Sequence, residues 1–348
     1  MLLNPRLIIG SLLAIALACH SVSAEGLDFN RDVRPILSDK CYFCHGPDEE
    51  NNAAGLRLDQ AESASEVIQD GYLIERIFAE DADVIMPPPE SHLSLTASEK
   101  ATLKQWVEAG GQYELHWAFS PLPERVEIPR ISGSAEDSPI DLFIRRRLSN
   151  TGLDFSPPAE PLRWLRRVTF DLTGLPPSVR EIDAFEQRLE SGRVEKAYEE
   201  AVDRLLESPS YGEHMSVAWL DAARYADSYG YQSDKLNTQW PYRDWVIRAF
   251  NDNLPYDDFL TWQLAGDLIP NATRDQKLAT AFNRIHRLNN EGGAVFEEWR
   301  IENVADRVHT FGTAVLGLTM ECCRCHDHKY DPISMREYYS LSAFFNSI

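Results

Sequence analysis

The chain has 348 residues, of which 43% are hydrophobic, so it is long enough for two domains and apolar enough to give each a core. Its formal charge of −21 argues against nucleic acid as a partner, because a polyanion would be repelled instead of being drawn in by counterion release. A basic redox partner protein or a neutral substrate suits this charge better.

Residues 1–24 have the pattern of a secretory signal peptide. Arg6 supplies a positive start, and an apolar run follows from Leu7 to Ala18. Val22-Ser23-Ala24 then offers small residues for cleavage before Glu25. We therefore expect the mature protein to begin at Glu25 and to be exported to the periplasm or the cell envelope.

Membrane attachment depends on the same segment. No later stretch approaches about 18 consecutive apolar residues, so the sequence predicts no transmembrane segment in the mature chain. Cys19, preceded by Leu17-Ala18, leaves one alternative open, in which a lipoprotein-type signal anchors the protein through lipid on this cysteine.

Residues 25–113 have the pattern of a small helical domain. A short helix is predicted just before the first cysteine pair from apolar residues at helical spacing, namely Phe29, Val33, Ile36 and Leu37. A second helix is predicted after Thr96, which forms a capping-box pattern with Glu99, and Gly110-Gly111 would end it.

Helical periodicity is lost over residues 114–139, where Pro, Ser and Gly recur, and this segment is predicted to be a linker. Periodicity returns in residues 140–348, where prolines separate the runs. The predicted fold class is mostly α, with a small domain and a larger irregular helical domain. The predicted helical runs are Ile140 to Leu148, Val179 to Leu189, Ala197 to Leu206, Tyr242 to Phe250, Phe259 to Leu264 and Glu298 to Leu318.

The motif Cys41-Tyr42-Phe43-Cys44-His45 predicts attachment of one haem c. Two cysteines three positions apart reach both vinyl groups of one macrocycle, and the adjoining histidine then lies beneath the iron as its axial ligand. A redox dithiol would need a βαβ setting, and a zinc site would need a second CxxC nearby. Cys41, Cys44 and His45 are therefore the predicted haem-binding residues.

The opposite axial ligand is predicted to be Met86, the only methionine between this motif and the linker. The prolines of Met86-Pro87-Pro88-Pro89 would hold the loop extended and present the thioether. His92 is the alternative ligand, and a core position that merely fills space is the alternative role for Met86.

A second CxxCH lies within Cys322-Cys323-Arg324-Cys325-His326. The favoured interpretation is a second haem on Cys322 and Cys325, with His326 as the axial ligand and Cys323 left over as a buried or reactive thiol. A metal site made of Cys, His and Asp side chains, or a disulfide that uses Cys323, are the alternatives.

The distal ligand of this second iron is left open by the sequence. His328 follows His326 by only two residues, so it cannot reach the opposite face of the same iron. The remaining candidates in the helical domain are His214, His286 and His309.

Aromatic and charged residues are dense between the two motifs. They could line a polar substrate pocket or simply pack helices together, and packing is favoured. The residues concerned are Trp219, Asp221, Arg224, Tyr225, Asp227, Tyr229, Tyr231, Asp234, Trp240, Tyr242, Arg243, Asp244 and Trp245.

The first part of the chain, Asp28 to Gly111, resembles the planctomycete-type cytochrome c domain (PSCyt1-like). The stretches that carry the likeness are Arg34-Pro35-Ile36-Leu37, CYFCHGPD, Met86-Pro87-Pro88 and Trp106-Val107-Glu108-Ala109-Gly110. This resemblance implies a class I-like cytochrome c fold for residues 25–113.

The remainder resembles the DUF1549 (PSCyt2-like) domain. The matching stretches are Phe170 to Pro177, Trp219 to Ser228, Gln263 to Leu268, and Leu316 to Thr319 running into the second CxxCH. The chain departs from the family pattern at Cys322-Cys323, where the family has one cysteine, and at His214-Met215-Ser216. Family members usually continue into a DUF1553 domain, so the resemblance also suggests a truncated product.

The resemblance implies an exported multidomain cytochrome with haem binding and electron transfer, and it supplies no substrate. Electron transfer between the haem centres and a redox partner protein is the favoured function. The first alternative is a haem-dependent oxidoreductase that acts on a polar substrate, such as a carbohydrate, in the helical domain. The second alternative is an envelope docking or scaffold protein that carries a haem module.

Overall fold

The computed structural model describes residues 27–48, 51–131 and 138–348. The predicted signal peptide, including Cys19, lies outside the described residues. The chain divides into two compact units between Ala118 and Phe119. None of the described helices combines the length and the apolar character that a membrane crossing needs.

The first unit consists of short helices around one core. A π-helical turn, Phe29–Val33, leads directly into the first of them. The α-helices are α1 Arg34–Lys40, α2 Tyr42–His45, α3 Ala61–Gln69, α4 Tyr72–Phe78 and α5 Ala97–Glu108. Thr96 and Glu99 form the predicted capping box of α5, and the glycines at 110 and 111 follow with φ of 103° and 60°. Such left-handed backbone favours glycine and ends the helix.

The core of the first unit is apolar and aromatic. The rings of Phe29 and Trp106 lie 5.6 Å apart, and the Trp106 indole N–H donates to the Gln112 carbonyl at 2.9 Å. Burying each large side chain of this kind stabilises the fold by about 1.5–3 kcal/mol. The buried members are Phe29, Val33, Leu37, Leu58, Ala64, Ile68, Leu73, Ile77, Leu103 and Trp106, and Cys41 and Tyr42 pack against them.

The described part of the second unit is mostly helical. Its α-helices are α6 Pro139–Asn150, α7 Pro161–Thr173, α8 Val179–Glu190, α9 Val194–Leu206, α10 Pro209–Ala222, α11 Trp240–Asn251, α12 Tyr256–Ala265, α13 Arg274–Ala279, α14 Phe296–Phe311 and α15 Met335–Phe345. The described residues contain no strand, only an isolated bridge between Ser228 and Leu236. The predicted mostly-α fold is therefore confirmed.

Helix α14 is shorter than the predicted run from Glu298 to Leu318. It ends at Phe311, and a π-helical turn, Gly312–Leu316, follows it. A Cβ atom at Gly312 would lie 2.8 Å from Met320 Cγ and 2.9 Å from the Leu318 carbonyl oxygen. The chain therefore folds back on itself at this glycine, which brings the second CxxCH close to the end of α14.

Part of the aromatic stretch between the motifs is core. The Tyr242 hydroxyl donates to Gln263 Oε1 at 2.6 Å, and the Trp219 indole N–H donates to the same oxygen at 2.9 Å. Tyr242 and Trp245 are almost fully buried. These side chains pack helices together, as the favoured interpretation expected.

Arg307 of α14 is a buried charge with every arm engaged. Its Nε donates to the Asn283 carbonyl at 2.8 Å, Nη1 to the Phe345 carbonyl at 3.2 Å, and Nη2 contacts His286 Nε2 at 3.1 Å. Burial lowers the pKa of Arg307, and the nearby charge of Arg224 lowers it further. These bonds attach α14 to the segment after α13 and to the end of α15.

Candidate functional site

The first CxxCH folds as a single helical turn at the end of α1. The carbonyl of Cys41 accepts the backbone N–H of Cys44 at 3.2 Å and that of His45 at 2.8 Å. Residues three and four apart lie on one side of such a turn. The two thiols are close enough for the charge of one to raise the pKa of the other.

Cys41 is held protonated by its surroundings. Its side chain packs against the core of the first unit, and burial, with a smaller contribution from Cys44, raises the pKa of its thiol to about 12. A dithiol redox site needs a thiol whose pKa is lowered, since the thiolate is the nucleophile. The local electrostatics therefore oppose the dithiol alternative.

His45 has one ring nitrogen directed into the protein. Its Nδ1 is buried without a hydrogen bond. Burial lowers the pKa of the imidazole, and the backbone carbonyls of Ala53 and Leu56 raise it by a smaller amount. The loop is closed over the ring by the Leu58 N–H, which donates to the His45 carbonyl at 2.7 Å. Axial histidines usually direct their second nitrogen to a carbonyl or carboxylate. The surroundings of His45 therefore fit an axial ligand that binds through Nε2.

Tyr42, inside the same turn, has a second buried polar atom without a partner. Its hydroxyl makes no hydrogen bond, and burial raises its pKa well above the usual range. Buried polar atoms are normally paired, so this unpaired hydroxyl fits a segment that is completed by a bound group.

Met86 is half-buried in the segment after α4. Its backbone N–H donates to the carbonyl of Arg76 at 3.0 Å, which ties the segment to that helix. The alternative ligand, His92, is exposed and has a left-handed φ of 56°. The role of Met86 as an iron ligand stays a prediction.

The second CxxCH takes the same turn as the first. Glu321–Arg324 is a 3₁₀ helix, and the Cys322 carbonyl accepts the backbone N–H groups of Cys325 and His326, both at 3.2 Å. The flanking sequences differ, yet in both motifs the backbone N–H groups of the second cysteine and of the histidine donate to the carbonyl of the first cysteine.

The three cysteines of this motif have different surroundings. Cys322 and Cys325 are exposed, whereas Cys323 is buried and its Sγ lies 3.4 Å from the Ile333 carbonyl oxygen. Burial raises the pKa of Cys323 to about 11. The cysteine that CxxCH does not need is therefore directed into the protein, and the pair that it does need faces outward.

His326 has a defined tautomer. Its Nδ1 lies 2.7 Å from the Asp327 carbonyl oxygen. A carbonyl only accepts, so Nδ1 must carry the proton, and Nε2 keeps the lone pair that an iron ligand requires.

His328 has a structural role in the loop that follows. Its Nδ1 accepts the backbone N–H groups of Tyr330 at 3.2 Å and Asp331 at 2.9 Å, while Nε2 lies 3.3 Å from the Thr319 hydroxyl. Both ring nitrogens are engaged, in agreement with the expectation that His328 is not a distal ligand.

The three distal candidates differ in what they contact. His214 packs against Gly174, where an added Cβ would meet its Nδ1 at 2.7 Å, and His286 is bonded to Arg307. His309 of α14 has a buried Nδ1 without a partner.

The described residues contain no group of three or more His, Cys, Asp or Glu side chains placed to hold a metal ion. Within that part of the chain, all five cysteines from Cys41 onward are free. The zinc-type and disulfide alternatives for the second motif therefore gain no support from the geometry.

A cavity of about 240 Å³ in the second unit was not predicted as such from the sequence. The aromatic and charged stretch supplies one wall, through Arg224, Tyr229 and neighbours. The other lining residues come from the segment 284–287 and from Asp306 of α14. Their contribution has no local sequence signal, because it depends on how distant segments pack.

Comparison with known families finds one family match within each of the two units. Residues 41–90 match the Planctomycete cytochrome C family (PSCyt1), which gives the first unit a c-type cytochrome-like role. Residues 139–348 match PSCyt2, described as a protein of unknown function (DUF1549), and no DUF1553 match accompanies them. The chain belongs to this PSCyt2 family. No curated protein and no solved structure matches it.

We predict unequal labelling of the cysteines in haem-free protein that begins at Glu25. At pH 8 a thiol with a pKa of about 12 is ionised in only about one molecule in ten thousand. A maleimide should therefore modify the exposed Cys322 and Cys325 about tenfold or more faster than Cys41 and Cys323, as measured by peptide mass spectrometry. In urea all five should react alike. Equal rates in the folded protein would contradict the burial of Cys41.

Proposed function

We propose that the protein is an exported electron-transfer protein with two covalent haem c groups. The first would be held by Cys41, Cys44 and His45, with Met86 as the opposite ligand. The second would be held by Cys322, Cys325 and His326. Haem c, when bound, supplies reversible one-electron chemistry at its iron.

One observation carries the proposal: two CxxCH segments with unlike flanks adopt the same hydrogen-bonded turn. In each turn both cysteines are unpaired. Each histidine also has its Nδ1 on the protein side, buried at His45 and bonded to a carbonyl at His326. Two thiols and a free Nε2 are the groups that covalent haem attachment uses.

The residues around the first motif would tune and protect its centre. The apolar core on which Cys41 packs excludes water from one side of the site. Low solvent exposure and Met/His ligation both raise the reduction potential of a haem. A charge of −21 would attract a basic redox partner by electrostatic steering.

We predict two haems per chain after expression with haem-ligation machinery. The paired variants C41S/C44S and C322S/C325S should each retain one haem, because each removes both thioether positions of one motif. A pyridine haemochrome assay against protein concentration measures the count.

C323A is the matched control for this count. Cys323 is directed into the protein, so its replacement should leave two haems. One haem in the wild type, lost only in C41S/C44S, would remove the second site from the proposal.

Met86→Ala should lower the midpoint potential and abolish the methionine-to-iron absorption band of the oxidised protein, because it removes the thioether ligand. Redox titration followed by absorbance measures both. Met335→Ala is the control, since Met335 is 41% exposed at the start of α15. An unchanged spectrum in Met86→Ala together with a changed one in His92→Ala would assign the ligand to His92.

A second candidate function is an oxidoreductase that acts on a polar substrate in the second unit. The polar cavity beside Arg224 favours it. Anaerobic mixing of the oxidised protein with a substrate should then produce the absorbance of reduced haem, measured over a panel of sugars and sulfated glycans. If no compound reduces the haem, electron transfer alone remains.

A further inference from the structure

The cavity of the second unit is enclosed by three segments. They are the loop from Arg224 to Gln239, the stretch from Arg284 to Arg287, and α14. The backbone N–H of Leu288 donates to the Tyr229 carbonyl at 3.0 Å and joins the first two segments.

The loop is also held from within. One oxygen of Asp227 accepts the N–H groups of Gln239 and Trp240, both at 2.7 Å, and the Tyr225 hydroxyl donates to its other oxygen. These bonds to the charged carboxylate lower the pKa of Asp227, although burial opposes them. Hydrogen bonds within the chain therefore hold this wall of the cavity.

The charge of the lining is opposite to that of the protein. Three arginines, Arg224, Arg284 and Arg287, face one carboxylate, Asp306, in a chain of formal charge −21. Asp306 is already paired with Arg224. The lining thus has a surplus of positive charge, although the protein as a whole is strongly acidic.

His286, the histidine of the lining, adds no negative charge. Its Nδ1 lies 2.9 Å from the Arg287 carbonyl oxygen, and its Nε2 accepts from Arg307. Burial, the largest influence, lowers the pKa of His286. Glu302, outside the lining, interacts with Arg287, but its hydrogen bonds go to Arg324.

Arg224 has one arm without a partner. Its Nε donates to Asp306 Oδ2 at 2.9 Å and its Nη1 to the Ala223 carbonyl at 3.2 Å, whereas Nη2 is buried and makes no hydrogen bond. The residue also has a left-handed φ of 52°, a strained conformation for a side chain of this size. A buried cationic N–H without an acceptor is costly, so the charge of Arg224 is only partly compensated by Asp306 and the Ala223 carbonyl.

We propose that this cavity binds the oxyanion group of a small polar molecule, which the surplus positive charge of its three lining arginines attracts. Arg284 and Arg287 balance the remaining charge. Ser228, Asn237 and Gln239 of the lining offer neutral donors and acceptors for hydroxyl groups. A volume of about 240 Å³ suits a ligand the size of a single sugar. The oxyanion of such a ligand would be a carboxylate or a sulfate ester.

The same face of α14 also contacts the second CxxCH. Glu302 and Asp306 are four residues apart and therefore occupy adjacent turns on one side of the helix. Asp306 pairs with Arg224 at the cavity, while Glu302 Oε2 accepts from Nη1 of Arg324, within the motif, at 3.1 Å. A bound oxyanion would thus lie about one helical turn from the pair that anchors the motif. Binding itself needs no haem.

Titration calorimetry on the mature full chain tests the proposal with three probes at constant low ionic strength: glucuronate, glucose 6-sulfate and glucose. At least one charged sugar should bind about tenfold or more tightly than glucose, because charge-assisted bonds to the lining arginines are available only to a charged sugar. Preference between the two distinguishes a carboxylate ligand from a sulfate ester. Equal binding of all three, or binding of none, would overturn the proposal.

The double variant R284Q/R287Q should weaken binding of the preferred probe about tenfold. Both side chains are exposed, and neither forms an ion pair within the described residues, so the fold should survive. R193Q/R248Q removes the same charge away from the cavity and should bind like the wild type. R224Q tests the buried arm directly. An undiminished affinity in R284Q/R287Q, or an equal loss in R193Q/R248Q, would refute the site.

Discussion

The second unit depends on one buried guanidinium. Arg307 is only 7% exposed and donates to the carbonyls of Asn283 and Phe345 and to His286. A buried charge is tolerated only where hydrogen bonds replace its water, and the planar fork of arginine reaches three partners at once. A lysine has a single side-chain nitrogen, which could not reach all three of these partners. The contacts of Arg307 join α14 to the segment before it and to α15, and they place His286 beside the cavity.

Local features were predictable because their physics is local. Thr96 and Glu99 satisfy each other's backbone donors three residues apart, and the glycines at 110 and 111 adopt left-handed backbone, so both ends of α5 could be located from the sequence. A Pro in the first turn did not decide the outcome, because α6 was predicted whereas α7, which also begins at Pro, was not. Helix α10 was missed because Gly212 lies inside it, at a place where a Cβ would meet the carbonyl oxygen of Ile247 at 2.4 Å.

The functional sites also differ in how much of each could be predicted from the sequence. A CxxCH contains all its chemistry in five residues, so both motifs could be identified from spacing alone. The surroundings of each group could not be read from spacing, and the burial of Cys323 between two exposed cysteines has no signal in the sequence. The cavity could not be predicted from the sequence, because Arg224, Arg287 and Asp306 are brought together only by the tertiary fold. His286 was considered as an iron ligand, but its Nε2 is occupied by Arg307.

The unlike surroundings of the two cysteine pairs bear on the order of maturation. Cys41 packs against the core of the first unit as a protonated thiol, whereas Cys322 and Cys325 lie on the surface. If haem is attached as proposed, thioether formation requires the sulfur to meet a vinyl carbon, so the first motif would be easier to load before α1 and α2 pack against that core. The exposed cysteines of the second motif would remain accessible after its unit has folded. On the proposed function, loading the N-terminal motif first would satisfy both conditions.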